Sequence, residues 1–174
     1  MEEHAPERHA PERPAPERPL PERPAPDGPD GDRGPSHLAV RPWWDPALAV
    51  GGYDPRSAYA ERFWLGVIGP STLLLLRRFA RGLDDHPTGF RMSVVDTGRA
   101  MGLGSGTGRR APVSRTIDRA CSFGLARRTG PDQVEVRTHL PRLTSRQLQR
   151  LPVVVQQAHR DWLVRATPEV PPAA

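Results

Sequence analysis

Arginines recur through the second half of the chain at positions where they could bind a polyanion. Eight lie from Arg99 to Arg137, against three acidic residues, so this stretch has a net charge of +5. A guanidinium group presents a planar fork of N–H donors that matches phosphate oxygens and the edge of guanine. The pattern therefore indicates a nucleic-acid contact surface. Its candidate residues are Arg109, Arg110, Ser114, Arg115, Arg119, Arg127, Arg128 and Arg137.

Arg115 is the candidate for a base-edge contact, bidentate to guanine, and the other arginines are expected to contact phosphates. A generic solvated face is the competing interpretation. All 25 basic residues are arginine, and there is no lysine. This choice suits phosphate recognition, but it is also what the codon bias of a GC-rich genome would give.

The elements that must position these residues follow one another in a recognisable order. Residues 93–101 read as a capped helix, 102–110 as a glycine-rich turn and 112–123 as a second amphipathic helix that begins at proline. Two strand-like runs then flank residues 129–132, which have hairpin turn chemistry. This order predicts an α+β winged helix-turn-helix with three helices and a two- or three-stranded wing.

The segments before this unit supply its first helix and much of its aromatic content. Gly69-Pro70-Ser71 begins a helix that should run to about Leu83. Before it, Tyr59, Phe63 and Val67 recur at four-residue spacing, which favours a short helix or turn that places the rings on the core. The predicted divisions are a tail at 1–40, an aromatic lead-in at 41–68, the domain at 69–140, a helical extension at 141–165 and a disordered tail at 166–174.

The first forty residues differ from the rest in composition and charge. Residues 5–26 repeat a five-residue Pro-Glu-Arg pattern, which cannot sustain a helix or a sheet. Residues 1–40 contain five Arg and nine Asp or Glu, whereas residues 41–174 contain twenty Arg and eleven Asp or Glu. We therefore expect a disordered acidic tail that contributes nothing to a core, attached to a domain of net charge +9.

The C-terminal extension carries a heptad-like apolar seam. A capping box at residues 144–147 starts it, and Pro152 must kink the helix or split it in two. The seam can pack back on the domain core or form a homodimer interface. Its residues are Leu148, Leu151, Val155, Ala158 and Trp162.

Other chemistries find little support in the residues. The glycine run at 102–108 is followed by no lysine, so it does not fit a nucleotide phosphate loop. The histidines have no metal-ligand spacing, and Cys121, the only cysteine, is expected to be a buried helix residue. We therefore expect no enzyme activity, cofactor or metal. No run approaches a membrane span and no secretory signal is visible, which favours a cytoplasmic protein.

Several motifs resemble those of a group of small uncharacterised winged-helix-like proteins of GC-rich bacteria. They are residues 53–57 (Tyr-Asp-Pro-Arg-Ser), 63–65 (Phe-Trp-Leu), 69–72 (Gly-Pro-Ser-Thr) and 122–126 (Ser-Phe-Gly-Leu-Ala). The resemblance covers about Tyr53 to Trp162. It implies the winged helix-turn-helix superfamily, in which DNA binding is the commonest role.

The sequence thus predicts a non-enzymatic protein that binds double-stranded DNA, with transcription regulation as the expected process. The alternative is a winged-helix adaptor that binds another protein. A positive face over the second helix and wing favours DNA, whereas an exposed apolar patch there favours a protein partner. RNA binding is a weaker option, since no RNA-recognition motif is present.

Overall fold

A computed structural model describes residues 34–166, which form a four-stranded sheet with helices packed around it. The chain is therefore of the α+β class, as predicted. The strands are β1 (His37–Trp43), β2 (Phe90–Ser93), β3 (Ala126–Gly130) and β4 (Gln133–Arg137). The helices are α1 (Pro46–Gly51), α2 (Leu65–Ile68, which continues a π-helical turn at Ala60–Trp64), α3 (Pro70–Asp85), α4 (Val94–Ala100), α5 (Pro112–Ser122), α6 (Ser145–Leu148) and α7 (Val153–Ala166).

Strand β1 occupies an interior position in the sheet, whose order is β2-β1-β4-β3. Val40 lies opposite Phe90 in antiparallel β2 and opposite Val134 in parallel β4. Leu38 and Val40 are 1% and 0% exposed, so both belong to the core. The prediction that residues 1–40 contribute nothing to a core is therefore wrong for the segment that forms β1. The predicted tail at 1–33 lies outside the described residues.

Buried and exposed side chains alternate along this short segment, which favours a strand. Leu38 and Val40 point to the buried face, while His37 and Arg41 are exposed. The pairing with β2 ends at Val40, and beyond that point β1 pairs only with β4. Pro42, which has no N–H to donate, lies in this one-sided part of the strand, where proline is tolerated.

The helices of the predicted helix-turn-helix lie where the sequence signals place them. α3 and α5 each begin at proline, which lacks the N–H that a first turn leaves unpaired. α4 begins after Ser93, whose side chain accepts a hydrogen bond from the Asp96 N–H. β3 and β4 form the predicted antiparallel hairpin, with an irregularity between Arg128 and Gly130. What the sequence did not predict is that β1 separates β2 from this hairpin.

The aromatic lead-in forms the centre of the core rather than its edge. Tyr59, Phe63 and Trp64 are almost completely buried, as is Phe79 of α3. The Trp64 indole N–H donates to the Pro141 carbonyl at 2.9 Å, which satisfies its one polar group inside the core. The predicted packing of these rings on the core is confirmed, and the core extends beyond the 69–140 boundaries in both directions.

The C-terminal extension packs on the same core. The Thr144 capping box with Gln147 is present, and Pro152 separates α6 from α7. The predicted seam is therefore occupied by the chain's own core, because four of its five members are buried or half-buried there and only Ala158 is exposed. Packing back on the domain core is thus confirmed for these four residues, and the homodimer through the seam stays a prediction. The four packed residues are Leu148, Leu151, Val155 and Trp162.

Within residues 34–166, no helix is both long and apolar enough to cross a membrane. The predicted disordered tail at 166–174 lies outside the described residues except for Ala166, the last residue of α7.

Candidate nucleic-acid interface

Helix α5 has one buried and one exposed face, as a recognition helix requires. Val113, Ile117 and Ala120 are at most 2% exposed and pack into the core. Arg115 and Asp118 lie on the opposite, exposed face. Contacts with α3, α4 and β3 hold the helix from three sides, so the direction of its outer face is fixed by packing.

The glycine-rich connection at 101–111 is folded back against α4. Gly102 and Gly104 have positive φ angles of 68° and 82°, which glycine adopts without strain. A Cβ on Gly98 would lie 2.3 Å from the Gly104 carbonyl oxygen and 3.2 Å from a Val113 methyl. Gly98 is thus needed for the close approach of the connection to α4, and Leu103 is half-buried against the core.

Three of the predicted contact residues are exposed and unengaged. Arg109 and Arg110 lie in the connection just before α5, and Arg115 lies in its second turn. Within residues 34–166, none of these three side chains has a hydrogen bond or an ion pair with another residue. Their guanidinium donors are therefore available to a ligand without the loss of an internal contact.

Ser114 does not lie on the exposed face of α5, and its predicted contact with a nucleic acid stays a prediction. The residue is only 8% exposed, and its hydroxyl donates to the Gly108 carbonyl at 3.0 Å. Its position in the first turn of α5 brings it back over the connection rather than outward. Ser114 therefore fixes the loop that carries Arg109 and Arg110, and it acts on any ligand only through them.

Arg119 is exposed, but its guanidinium already has partners inside the domain, and its contact with DNA stays a prediction. Nε donates to the Ile68 carbonyl at 2.7 Å and Nη2 donates to the Val67 carbonyl at 3.0 Å. These carbonyls belong to the last turn of α2, where they lack partners within the helix. The guanidinium also lies 5.5 Å from the centroid of the Phe123 ring. Arg119 therefore closes α2 and joins it to α5.

The three arginines of the hairpin each have an internal carboxylate partner. Arg127 pairs with Glu135 at 2.6 Å and Arg128 pairs with Asp118 at 2.9 Å, while Arg137 pairs with Asp45. The side chains of Arg127 and Arg128 are 52% and 35% exposed, but that of Arg137 is only 18% exposed. The first two are exposed enough to turn toward a polyanion and Arg137 is mostly enclosed, and the contacts of all three with a nucleic acid stay predictions.

Arg137 instead helps to enclose Trp43 at the end of β1. Its guanidinium lies 3.9 Å from the centroid of the Trp43 ring, and that of Arg127 lies 4.4 Å away. Arg137 also donates to the Gly124 carbonyl at 2.8 Å. The hydrogen bond from Arg137 holds the pKa of the Asp45 carboxyl below its usual value. Trp43 thus packs between two guanidinium groups at the end of β1.

Sequence reasoning counted Asp118 among the charges of this surface but missed its partner on the hairpin. Asp118 is exposed on α5, between Arg115 and the hairpin. Its Oδ1 accepts a hydrogen bond from Nε of Arg128 at 3.0 Å. A helical wheel places Asp118 on the face of Arg115, but it gives no sign of a partner ten residues away on β3. The surface is consequently less positive than a count of arginines suggests.

Other reactive groups are sparse in the described part of the chain. No group of three or more His, Cys, Asp or Glu side chains there could hold a metal ion. Cys121 is half-buried rather than fully buried, and burial raises the pKa of its thiol. Comparison of the whole chain with models of known protein families, with curated proteins and with solved structures gave no match.

Proposed function

We propose that this protein binds double-stranded DNA through α5, the connection before it and the β3–β4 hairpin, as a non-enzymatic winged helix-turn-helix protein. The observation that carries the proposal is the group Arg109, Arg110 and Arg115, whose side chains are exposed and have no internal partner in the described chain. In this proposal Arg115 reads a base edge in a major groove, and the two loop arginines contact phosphates. Transcription regulation in the cytoplasm is the role that this binding would serve.

The chemistry of the surface favours DNA over a protein partner. Large apolar side chains that are exposed in residues 34–166 all lie outside α5, β3 and β4. An adaptor that used this face would need an apolar patch there to bury. The exposed ones are Trp44, Val50, Leu65, Leu74, Val153, Val154 and Val164.

The test is fluorescence anisotropy of the full chain with a labelled random duplex, titrated from low to high salt. If the two loop arginines meet phosphates, the logarithm of affinity should fall with the logarithm of salt at a slope of about −1.8. No binding at about 50 mM salt, where a basic surface binds most strongly, would contradict the proposal.

A charge-matched pair of variants separates the surface from net charge. Arg115→Glu should abolish the binding, while Arg146→Glu, an exposed arginine on α6, should reduce it only slightly. Equal losses in the two variants would mean that the duplex responds to overall charge and that α5 is not the contact surface.

A further inference from the structure

A hollow of about 410 Å³ lies between the first turn of α3 and the side of α5. Ser71 and Thr72 line it from α3, Arg115 and Arg119 line it from α5, and Leu103 lines it from the connection. The hollow therefore shares Arg115 with the proposed DNA surface.

Two backbone donors at the start of α3 have no acceptor within the helix. The first helical hydrogen bond in this turn runs from the Leu73 N–H to the Gly69 carbonyl at 3.1 Å. Pro70 has no N–H, and Gly69 at the cap position has no side chain that could accept from the first turn. The N–H groups of Ser71 and Thr72 are thus left for another acceptor, at the end of a 16-residue helix where the macrodipole favours an anion.

The hydroxyl of Thr72 provides an independent sign of a ligand. Thr72 is only 2% exposed, yet its side chain has no hydrogen bond within the described residues. In that same part of the chain, every side-chain oxygen or nitrogen that is sealed from solvent does have a partner. The Thr72 hydroxyl is therefore not sealed from solvent, and Thr72 lines the hollow.

The charged side chains that line the hollow from the described residues are positive. Among residues 34–166, Arg115 and Arg119 are the only charged residues that line it, and no carboxylate of that part of the chain does. Arg119 is held by two carbonyls, whereas Arg115 is unengaged within residues 34–166 and can turn its fork toward an oxyanion. We propose that the hollow binds one phosphate group, held by the N–H groups of Ser71 and Thr72, the Thr72 hydroxyl and Arg115.

The phosphate can belong to a DNA backbone or to a free phosphate compound, and the direct test uses inorganic phosphate alone. In ¹H–¹⁵N spectra of the full chain, phosphate should shift the Ser71 and Thr72 amide signals to saturation, while chloride of equal ionic strength should not. Thr72→Val, which keeps the buried volume and removes the hydroxyl, should weaken phosphate binding by about tenfold or more. Thr72→Ser should retain it.

Thr97→Val is the matched control, because Thr97 is a buried threonine of α4 that does not line the hollow. It should leave phosphate binding unchanged. If the Ser71 and Thr72 signals of the wild-type protein do not respond to phosphate, the proposal is overturned, whatever the variants do.

DNA titrations then identify the source of the phosphate, and this arm rests on the proposed DNA binding. A backbone phosphate is indicated if Thr72→Val weakens DNA binding and inorganic phosphate competes with the duplex. A free phosphate compound is indicated if Thr72→Val loses phosphate binding but keeps its DNA affinity. Phosphate binding without any DNA binding would support the phosphate site and contradict the proposed function. DNA binding without phosphate binding would contradict only the phosphate site.

Discussion

The Tyr59 hydroxyl lies 2.8 Å from Nε2 of His159, and both side chains are buried where α7 packs on the core. The same hydroxyl accepts a hydrogen bond from the Leu143 N–H at 2.9 Å, so its own proton is left to donate to the imidazole. Nε2 accepts this hydrogen bond only while the imidazole ring is neutral. Burial raises the pKa of Tyr59 to about 12, so the phenol keeps its proton across the ordinary pH range.

This arrangement predicts a loss of stability in mild acid. Burial, together with the nearby charge of Arg142, lowers the pKa of His159 below its usual value of 6.5. As the pH falls through about 6.5, the unfolded chain takes up a proton that the folded chain does not, so the free energy of unfolding decreases. Chemical denaturation at pH values from 8 to 5 measures this decrease.

His159→Gln should weaken that pH dependence, because the amide does not titrate. His86→Gln, at an exposed histidine after α3, should leave it in place. The Asp45 and Asp54 carboxyls have lowered pKa values, so their contributions to stability are lost only in stronger acid. An unchanged profile in His159→Gln would mean that another group senses the pH.

The two outer arginines of α5 should separate folding from binding. Arg119→Ala removes the donors to the Val67 and Ile68 carbonyls and should lower the free energy of unfolding by about 1–3 kcal/mol. Arg115→Ala removes no internal contact in the described chain and should change stability by less than about 0.5 kcal/mol. Urea denaturation of both variants gives the comparison, and equal losses would refute the role of Arg119 in closing α2.

The helices could be predicted from the sequence because their signals are local. Pro70, Ser93, Pro112 and Thr144 each mark the start of a helix within a few residues of the apolar pattern that follows. The hairpin was equally local, since its turn residues lie between its strands. Physical forces that act over three or four residues decide these elements, so a single sequence reveals them.

Strand β1 and the arginine partners could not be predicted in this way. β1 pairs with β4 across about ninety positions, as with Val40 and Val134, and it directly follows a proline-rich segment that suggested no structure. The bonds from Arg119 to Ile68 and from Arg137 to Asp45 likewise join distant segments. A residue type and a helix face identify a candidate contact, but only tertiary packing decides whether its guanidinium is already used.

The interior position of β1 predicts that its buried side chains stabilise the whole domain. Leu38→Ala should lower the free energy of unfolding by about 2–5 kcal/mol, because a fully buried leucine would be replaced by a cavity. His37→Ala, one position earlier on the exposed face, is the control and should have little effect. Urea denaturation tests both, and a Leu38→Ala protein as stable as the control would contradict the sheet order.

Replacement of Asp118 is predicted to strengthen DNA binding. A gain in affinity tests the DNA surface more sharply than a loss of affinity does. Asp118→Asn removes a negative charge from the exposed face of α5 and releases Arg128 from its 2.9 Å ion pair. The variant should bind duplex DNA more tightly at low salt, and one added phosphate contact should steepen the salt slope by about 0.9. Asp161→Asn on α7 changes net charge equally, but its carboxylate accepts from Gln157 and lies outside the proposed surface. Anisotropy titrations of the two variants should therefore differ, and equal gains in affinity would show that only net charge, not the Asp118–Arg128 pair, limits binding.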